Sequence, residues 1–188
     1  MKKTLFMLCC LLMSWNACAQ ELAGVELEDK VQLGDTPLVL NGAGVRSMWF
    51  FKIYVIGLYM AEKGHNADAI FADAKPKRIF MHIVIEDAAT ERFMMGFRKG
   101  VEENYSEAEV AALRERMAMF EQMFSPIKTV KRGDVIIFDS LPGEGTRVTL
   151  NGSELGRIGG DDFYRALLAI WIGGKPVNDD LKKELLGG

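Results

Sequence analysis

The segment LNGAGVRSMWFFKIYVIGLYM, residues 40–60, indicates the kind of fold that this chain adopts. Residues 48–60 are rich in β-branched and aromatic side chains and are apolar at almost every position, which is typical of a central strand covered on both faces. The stretch is shorter than the roughly 20 residues that a helix needs to cross a bilayer. We therefore predict one central strand over residues 48–60, preceded by a loop at residues 41–44.

Outside this segment, strand and helix patterns occur in blocks. Short apolar stretches between turn residues predict strands, and apolar residues three or four apart predict helices. The blocks lack the regular alternation of parallel βαβ units, so we predict an α+β fold with a largely antiparallel sheet and helices on one face. The predicted strands are residues 25–27, 37–40, 78–86, 127–130, 134–140, 146–150 and 154–158, and the predicted helices are residues 67–72, 89–104, 106–125, 161–173 and 178–186.

The first residues have the pattern of an export signal. Lys2 and Lys3 precede an apolar stretch over residues 5–15, and small residues follow at positions 17 and 19. This pattern predicts a secretory signal peptide, residues 1–19, that is cleaved before Gln20, and one domain over residues 20–188. An uncleaved anchor and a lipoprotein attached at Cys18 are the alternatives. All three cysteines lie within the predicted signal, so we expect a mature bacterial periplasmic protein with no disulfide and no transmembrane segment.

Charge and composition exclude several classes of function. A formal net charge of -3 without a basic stripe argues against a nucleic-acid partner, because clustered Lys and Arg residues bind phosphate backbones. The sequence has two histidines and no zinc-protease, hydrolase or phosphate-loop motif. His82 lies within an apolar strand pattern and is interpreted as a structural residue. We predict neither a metal nor a cofactor.

One group of polar residues borders an apolar strand face. Residues two apart on a strand point to the same side, so in a strand without a bulge Lys52 and Tyr54 share a face with Phe50 and Ile56. Arg46 is also an even number of residues from Tyr54, so it is predicted to point to the same face. An unpaired buried charge is costly, so such a cation is exposed, paired with a carboxylate, or reserved for an anionic ligand. The pattern alone leaves these readings open.

Asn104 provides a second polar residue on an apolar face. It lies two helical turns beyond Phe97, so its amide projects from the same face of the predicted helix. A buried amide needs a hydrogen-bond partner. Asn104 is therefore either a ligand contact or a helix C-cap, and spacing does not separate the two roles.

Two segments together resemble a known family. The segment at residues 40–60 and DDFYRALLAIWIGGKPVNDDLKKELLG at residues 161–187 are similar to the chalcone isomerase-like family, in its bacterial exported branch, and the similarity extends over about residues 31–187. The resemblance implies an open-faced β-sandwich, in which a large antiparallel sheet carries helices on one face and a ligand cleft lies between them.

The resemblance also implies roles for particular residues. Plant enzymes of the family stabilise a chalcone phenolate with an arginine, aided by a threonine, a tyrosine and an asparagine, whereas fatty-acid-binding relatives hold a carboxylate with an arginine and a strand tyrosine. Arg46 matches the arginine of both branches, and Tyr54 matches the tyrosine of the fatty-acid binders. Phe97 falls at the catalytic tyrosine of the enzymes and Asn104 at the asparagine, while Tyr164 replaces a small hydroxyl residue of the substrate pocket.

These substitutions favour binding over catalysis. Phe97 cannot donate the hydrogen bond of a phenol, and the loss of one preorganised donor typically lowers a rate by ~10² to 10³. The first hypothesis is therefore a periplasmic, non-catalytic protein that binds a fatty acid or similar anionic amphiphile. We expect Arg46 and Tyr54 to hold the head group with help from Asn104, and the predicted contacts with the rest of the ligand are Phe50, Ile56, Phe97, Phe163, Tyr164 and Leu167.

Two alternatives belong to other classes. The first is an intramolecular lyase or isomerase that acts on a phenolic enone, with Arg46 and Asn104 as catalytic residues. The second is an envelope interaction protein whose cleft is vestigial and filled by Tyr54, Phe97 and Tyr164. The position of these side chains distinguishes the hypotheses.

Overall fold

The computed structural model of the protein describes residues 20–188. The predicted signal peptide, residues 1–19, lies outside the described residues. The described part of the chain forms five helices and three sheets. In chain order the elements are β1 (Gln20–Leu22), β2 (Val25–Leu27), β3 (Lys30–Leu33), β4 (Thr36–Met48), β5 (Phe51–Met60), α1 (Ala67–Ala72), β6 (Lys77–Ile83), β7 (Asp87–Ala89), α2 (Thr90–Asn104), α3 (Glu107–Phe124), β8 (Thr129–Lys131), β9 (Val135–Leu141), β10 (Gly145–Leu150), β11 (Ser153–Ile158), α4 (Asp161–Ile172) and α5 (Asp179–Leu185).

Seven strands form one large sheet in the order β11-β10-β9-β6-β5-β4-β3, and every neighbouring pair is antiparallel. Helices α2, α3 and α4 pack their apolar sides on one face of this sheet and form the main core with it. The predicted α+β fold, an open-faced β-sandwich with helices on one face, is confirmed. No helix within residues 20–188 has both the length and the apolar character that a membrane span requires.

The other face of the sheet carries a smaller apolar cluster. Along β5, Val55 and Tyr59 point away from the helices, and the small sheet formed by β1 and β2 covers them with Val25 and Leu27. The side chains of β5 thus enter two cores in alternation, as expected for a strand covered on both sides. Residues 53–60 are apolar at nearly every position because both faces of this part of the sheet are covered.

The prediction of one strand over residues 48–60 is wrong. The chain reverses at Trp49 and Phe50, so Met48 ends β4, Phe51 begins β5, and the two strands pair as a hairpin. Two-residue hairpin turns usually contain glycine, asparagine or aspartate, because at least one residue adopts a positive φ. Trp49 adopts this conformation with a φ of 60°. The turn was missed because its residues are aromatic and continue the apolar pattern of the strands.

The prediction of a loop at residues 41–44 is also wrong, because these residues lie inside β4. Helix α5 packs directly against this part of the strand, and a Cβ atom on Gly42 would overlap the carbonyl oxygen of Glu184. The Asn41 amide group donates to the carbonyl oxygens of Gly64, at 2.9 Å, and Leu185, at 2.8 Å. The glycines therefore permit close packing of the C-terminal helix on the sheet and indicate no loop.

Candidate functional site

A cavity of about 290 Å³ lies between the hairpin end of β4 and β5 and the helices α2 and α4. Its wall is mostly apolar, and the polar groups that border it are few. The apolar lining includes Ile53, Ile85, Phe93, Phe97, Ile170 and Val177, and the polar lining consists of Arg46, Tyr54, Asp87, Arg92 and Trp171. A concave, mostly apolar space with a small number of convergent polar groups is typical of a site for a small organic ligand.

Arg46 and Tyr54 are directly opposite each other in the β4–β5 pair. Residues opposite each other in an antiparallel pair point to the same face of the sheet, so the guanidinium and the phenol both border the cavity. A register shift follows Arg46, because Ser47 pairs with Lys52 and leaves Ile53 as an extra residue. This bulge brings Ile53, instead of Lys52, to the cavity beside Tyr54. The prediction that Lys52 and Tyr54 share a face is therefore wrong.

The Arg46 residue is partly buried, and its guanidinium has no carboxylate within 4.0 Å among residues 20–188. Its Nη1 atom donates to the neighbouring Ser47 carbonyl oxygen at 2.5 Å. A guanidinium has five N–H donors, so most of its hydrogen-bonding capacity is left for another partner. Asp87 also borders the cavity but is exposed, and Arg92 adds a second positive charge at the rim.

The Tyr54 hydroxyl group is held in place by an indole. Trp171 Nε1 donates to the Tyr54 hydroxyl oxygen at 2.9 Å, and both side chains are buried. The hydroxyl proton has no acceptor among the described residues, so it is available to a ligand. Burial raises the pKa of the Tyr54 hydroxyl to about 12, although the Trp171 hydrogen bond and the Arg46 charge act in the opposite direction. The phenol is therefore a neutral donor at any ordinary pH.

The inner wall of the cavity is a cluster of aromatic rings centred on Phe97. Its ring centroid lies 5.3 Å from that of Phe93, 5.3 Å from that of Phe120, 5.7 Å from that of Phe138 and 5.8 Å from that of Trp171. Most of these pairs meet edge to face, the arrangement that favours aromatic packing. The same cluster supports the apolar wall and fixes Trp171, which in turn orients Tyr54.

Asn104 does not border this cavity, so its predicted part in the head-group site is wrong. Its amide group donates to the carbonyl oxygens of Gly100, at 2.9 Å, and Lys175, at 2.8 Å, and its amide oxygen accepts from the Lys175 backbone N–H at 2.9 Å. Asn104 is the last residue of α2 and joins the end of this helix to the loop after α4. The predicted alternative, a helix C-cap, is off by one residue, because the C-cap of α2 is Tyr105, but the Asn104 side chain does make structural hydrogen bonds at this helix end.

Of the predicted ligand contacts, only Arg46, Tyr54 and Phe97 border the cavity. Phe50 is 95% exposed at the hairpin turn, because the chain reverses there. Tyr164 is a residue of α4 that is buried in the main core away from the cavity, and its hydroxyl group has no hydrogen-bond partner among the described residues. The remaining predicted contacts lie in the main core, outside the cavity lining: Ile56, Phe163 and Leu167.

Sequence reasoning assigned no polar role to Trp171 and no site role to Gly96 or Arg92. The sequence carries one signal for a polar role of Trp171. A buried indole N–H needs a hydrogen-bond acceptor, and its own helix supplies none. Gly96 lies on the cavity side of α2, and a Cβ atom there would meet no atom within 4 Å. Gly96 is also exposed, and the sequence pattern does not show that this exposed glycine borders a cavity.

The fold and the site together define a class of protein: an antiparallel sheet with helices on one face encloses an apolar cavity that has a cation and a neutral donor at one end. The model of the chalcone isomerase-like family matches residues 19–187, and the chain belongs to this family. A search of curated proteins gave no match. Among solved structures, the chain is similar to a fatty-acid binding protein of Arabidopsis thaliana, with a TM-score of 0.74, 17% sequence identity and coverage of 89% of this chain and 95% of that chain.

The raised pKa of Tyr54 gives a pH-dependent prediction. Because the folded chain retains the phenol proton up to about pH 12 and an unfolded tyrosine loses it near pH 10, the contribution of Tyr54 to stability is complete below pH 10 and declines between pH 10 and 12. We expect the difference in 295 nm absorbance between wild-type protein and Tyr54→Phe to titrate near pH 12. A difference that titrates near pH 10 would show that the phenol is exposed to water.

Proposed function

We propose that the protein binds a fatty acid or a similar anionic amphiphile in this cavity and catalyses no reaction on it. One observation carries the proposal: the partly buried Arg46, whose guanidinium has no carboxylate within 4.0 Å among residues 20–188, borders an apolar cavity beside the neutral donor Tyr54. A cation that is partly removed from water is stabilised by an anion, and the carboxylate that borders the cavity, Asp87, is exposed and forms no ion pair with Arg46 among the described residues.

The chemistry of the polar end fits a carboxylate. A guanidinium binds both oxygens of a carboxylate through parallel N–H groups, and the Tyr54 hydroxyl adds a third hydrogen bond. The Tyr54 oxygen already accepts a hydrogen bond from Trp171, so the Tyr54 hydroxyl group can donate its proton to another acceptor. An anion with at least two acceptor oxygens can therefore accept from two N–H groups of Arg46 and from the Tyr54 hydroxyl at the same time.

The apolar wall fits a hydrocarbon chain. The cavity volume of about 290 Å³ lies at the lower end of the range for small-molecule sites, so the cavity accommodates a short acid or the head-group end of a longer one. Phe93 and Phe97 present aromatic surface and no hydroxyl group to this space. The fatty-acid binding protein of Arabidopsis thaliana has a similar fold, which supports the same use of the cavity here.

The two alternatives have weaker support. An isomerase of the plant type would need the phenol that Phe97 lacks and an asparagine in the cleft, whereas the Asn104 amide is fully used in structural hydrogen bonds. A vestigial cleft would be filled by Tyr54, Phe97 and Tyr164, but Tyr164 does not border the cavity. We propose a periplasmic location on the basis of the sequence pattern in residues 1–19.

The first test removes the charge of the head-group site. We expect Arg46→Gln to weaken the binding of a saturated C12 to C16 acid by about 10- to 100-fold, because hydrogen bonds to a charged group contribute about 1.5–3 kcal/mol. Isothermal titration calorimetry measures the affinity directly. Arg114→Gln is the matched control, since Arg114 is exposed on α3 and does not border the cavity. Equal affinity in both variants would rule out Arg46 as the head-group ligand.

The second test fills the cavity from Gly96. Gly96→Ala adds a Cβ atom in open space and favours the helix, so we expect unchanged ligand affinity and a gain of up to about 1 kcal/mol in the free energy of unfolding. Gly96→Phe places a ring in the cavity, and we expect it to lower affinity more than 10-fold. Calorimetry and urea unfolding measure the two quantities. Full binding by a folded Gly96→Phe variant would place the ligand somewhere else.

A further inference from the structure

The hairpin that joins β4 to β5 ends in four consecutive exposed apolar side chains. We name these residues the apolar tip: Met48 is 53% exposed, Trp49 89%, Phe50 95% and Phe51 67%. Within residues 20–188 the remaining large apolar side chains of comparable exposure are single methionines on helices, Met95 and Met119. Single exposed apolar residues are ordinary, whereas a contiguous exposed patch marks a surface that contacts something other than water.

The turn inside the apolar tip departs from the rule that the other hairpins follow. Within residues 20–188, four hairpins of paired strands have two-residue turns, and three of these turns contain glycine: Ala23-Gly24, Gly34-Asp35 and Asn151-Gly152. The fourth is Trp49-Phe50, with Trp49 at a φ of 60°. A bulky residue at positive φ is unfavourable, and such exceptions cluster at functional sites. We infer that Trp49 and Phe50 have a function that the residues of an Asn-Gly turn could not perform.

Positive charges lie next to the apolar tip. Lys52 follows it directly in β5 and is exposed, and the exposed Arg92 lies across the cavity mouth, where Met48 also borders the cavity. Asp87 borders the same cavity and is the carboxylate on this rim. Aromatic side chains beside lysine and arginine are characteristic of segments that enter the interfacial layer of a membrane, because the rings lie at headgroup depth and the cations bind anionic lipids.

We propose that the apolar tip docks the protein on a phospholipid membrane that contains anionic lipid. A membrane fits the tip better than a protein partner does, because a standard protein interface uses about 20–30 residues on each side and the tip supplies four. Docking does not depend on what the cavity binds. If the proposed function also holds, docking places the cavity mouth, with Met48 at its edge, at the lipid surface from which an amphiphile enters.

The experiment is sedimentation of the purified protein with sucrose-loaded vesicles of phosphatidylcholine and phosphatidylglycerol at a 7:3 ratio. We expect wild-type protein to sediment with the vesicles, and the double variant Trp49→Asn, Phe50→Ser to bind at least 10-fold more weakly. Asparagine tolerates the positive φ of position 49, so this variant preserves the turn. Met119→Ser is the matched control, because Met119 is exposed on α3 outside the apolar tip, and we expect it to bind like wild type.

Two further measurements give independent readouts. In wild-type protein the emission of the exposed Trp49 shifts to shorter wavelength on addition of vesicles, and brominated lipid quenches it, whereas the buried Trp171 does not respond. Lys52→Gln weakens binding to the mixed vesicles without affecting binding to pure phosphatidylcholine. Unchanged binding of a C12 acid from solution by the double variant shows that its cavity is intact and separates a failure of docking from a failure of the proposed function.

Either of two results would overturn the proposal. The first is the absence of any wild-type binding or Trp49 shift with the mixed vesicles. The second is self-association of the wild-type chain that the double variant abolishes while vesicle binding is equal in both proteins, a result that would assign the apolar tip to a contact between protein chains.

Discussion

One electrostatic constraint underlies the proposed site: Arg46 is partly buried beside an apolar cavity, and no carboxylate among residues 20–188 lies within 4.0 Å of its guanidinium. Partial burial without an ion-pair partner is unfavourable for a cation, which supports the proposal that Arg46 binds a ligand. The antiparallel pairing of β4 with β5 sets Tyr54 opposite Arg46 and makes the two side chains one unit. Their combined donors support the proposal of an anionic ligand.

The rest of the fold keeps this pair in place. The bulge after Arg46 turns Ile53 toward the cavity, and the hydrogen bond from Trp171 fixes the Tyr54 hydroxyl from the opposite helix. The aromatic rings around Phe97 hold Trp171. Because these contacts connect the sheet with α2 and α4, the site is preorganised by the main core and does not rely on a loop.

Sequence patterns predicted what is encoded locally and missed what depends on distant partners. The capping-box residues Ser106 and Glu109 and the short apolar stretch at residues 78–86 are local signals, and the elements that they indicate, α3 and β6, are present. The Trp49 turn was missed because aromatic residues replace the usual turn residues. Spacing placed Asn104 on an apolar helix face but could not show its bonds to Lys175, and the Trp171 contact with Tyr54 joins residues far apart in sequence.

The central claim is that Arg46 and Tyr54 hold the charged form of the head group, and the ionisation of a bound acid tests it most directly. A C12 acid labelled with ¹³C at its carboxyl carbon reports its own protonation through its NMR shift during a pH titration. Contact with a guanidinium and a phenol donor favours the carboxylate, so the account predicts a pKa for the bound acid at least one unit below that of the free acid, equivalent to about 1.4 kcal/mol. A raised pKa would show that the carboxyl group lies in apolar surroundings away from Arg46, and would contradict the account.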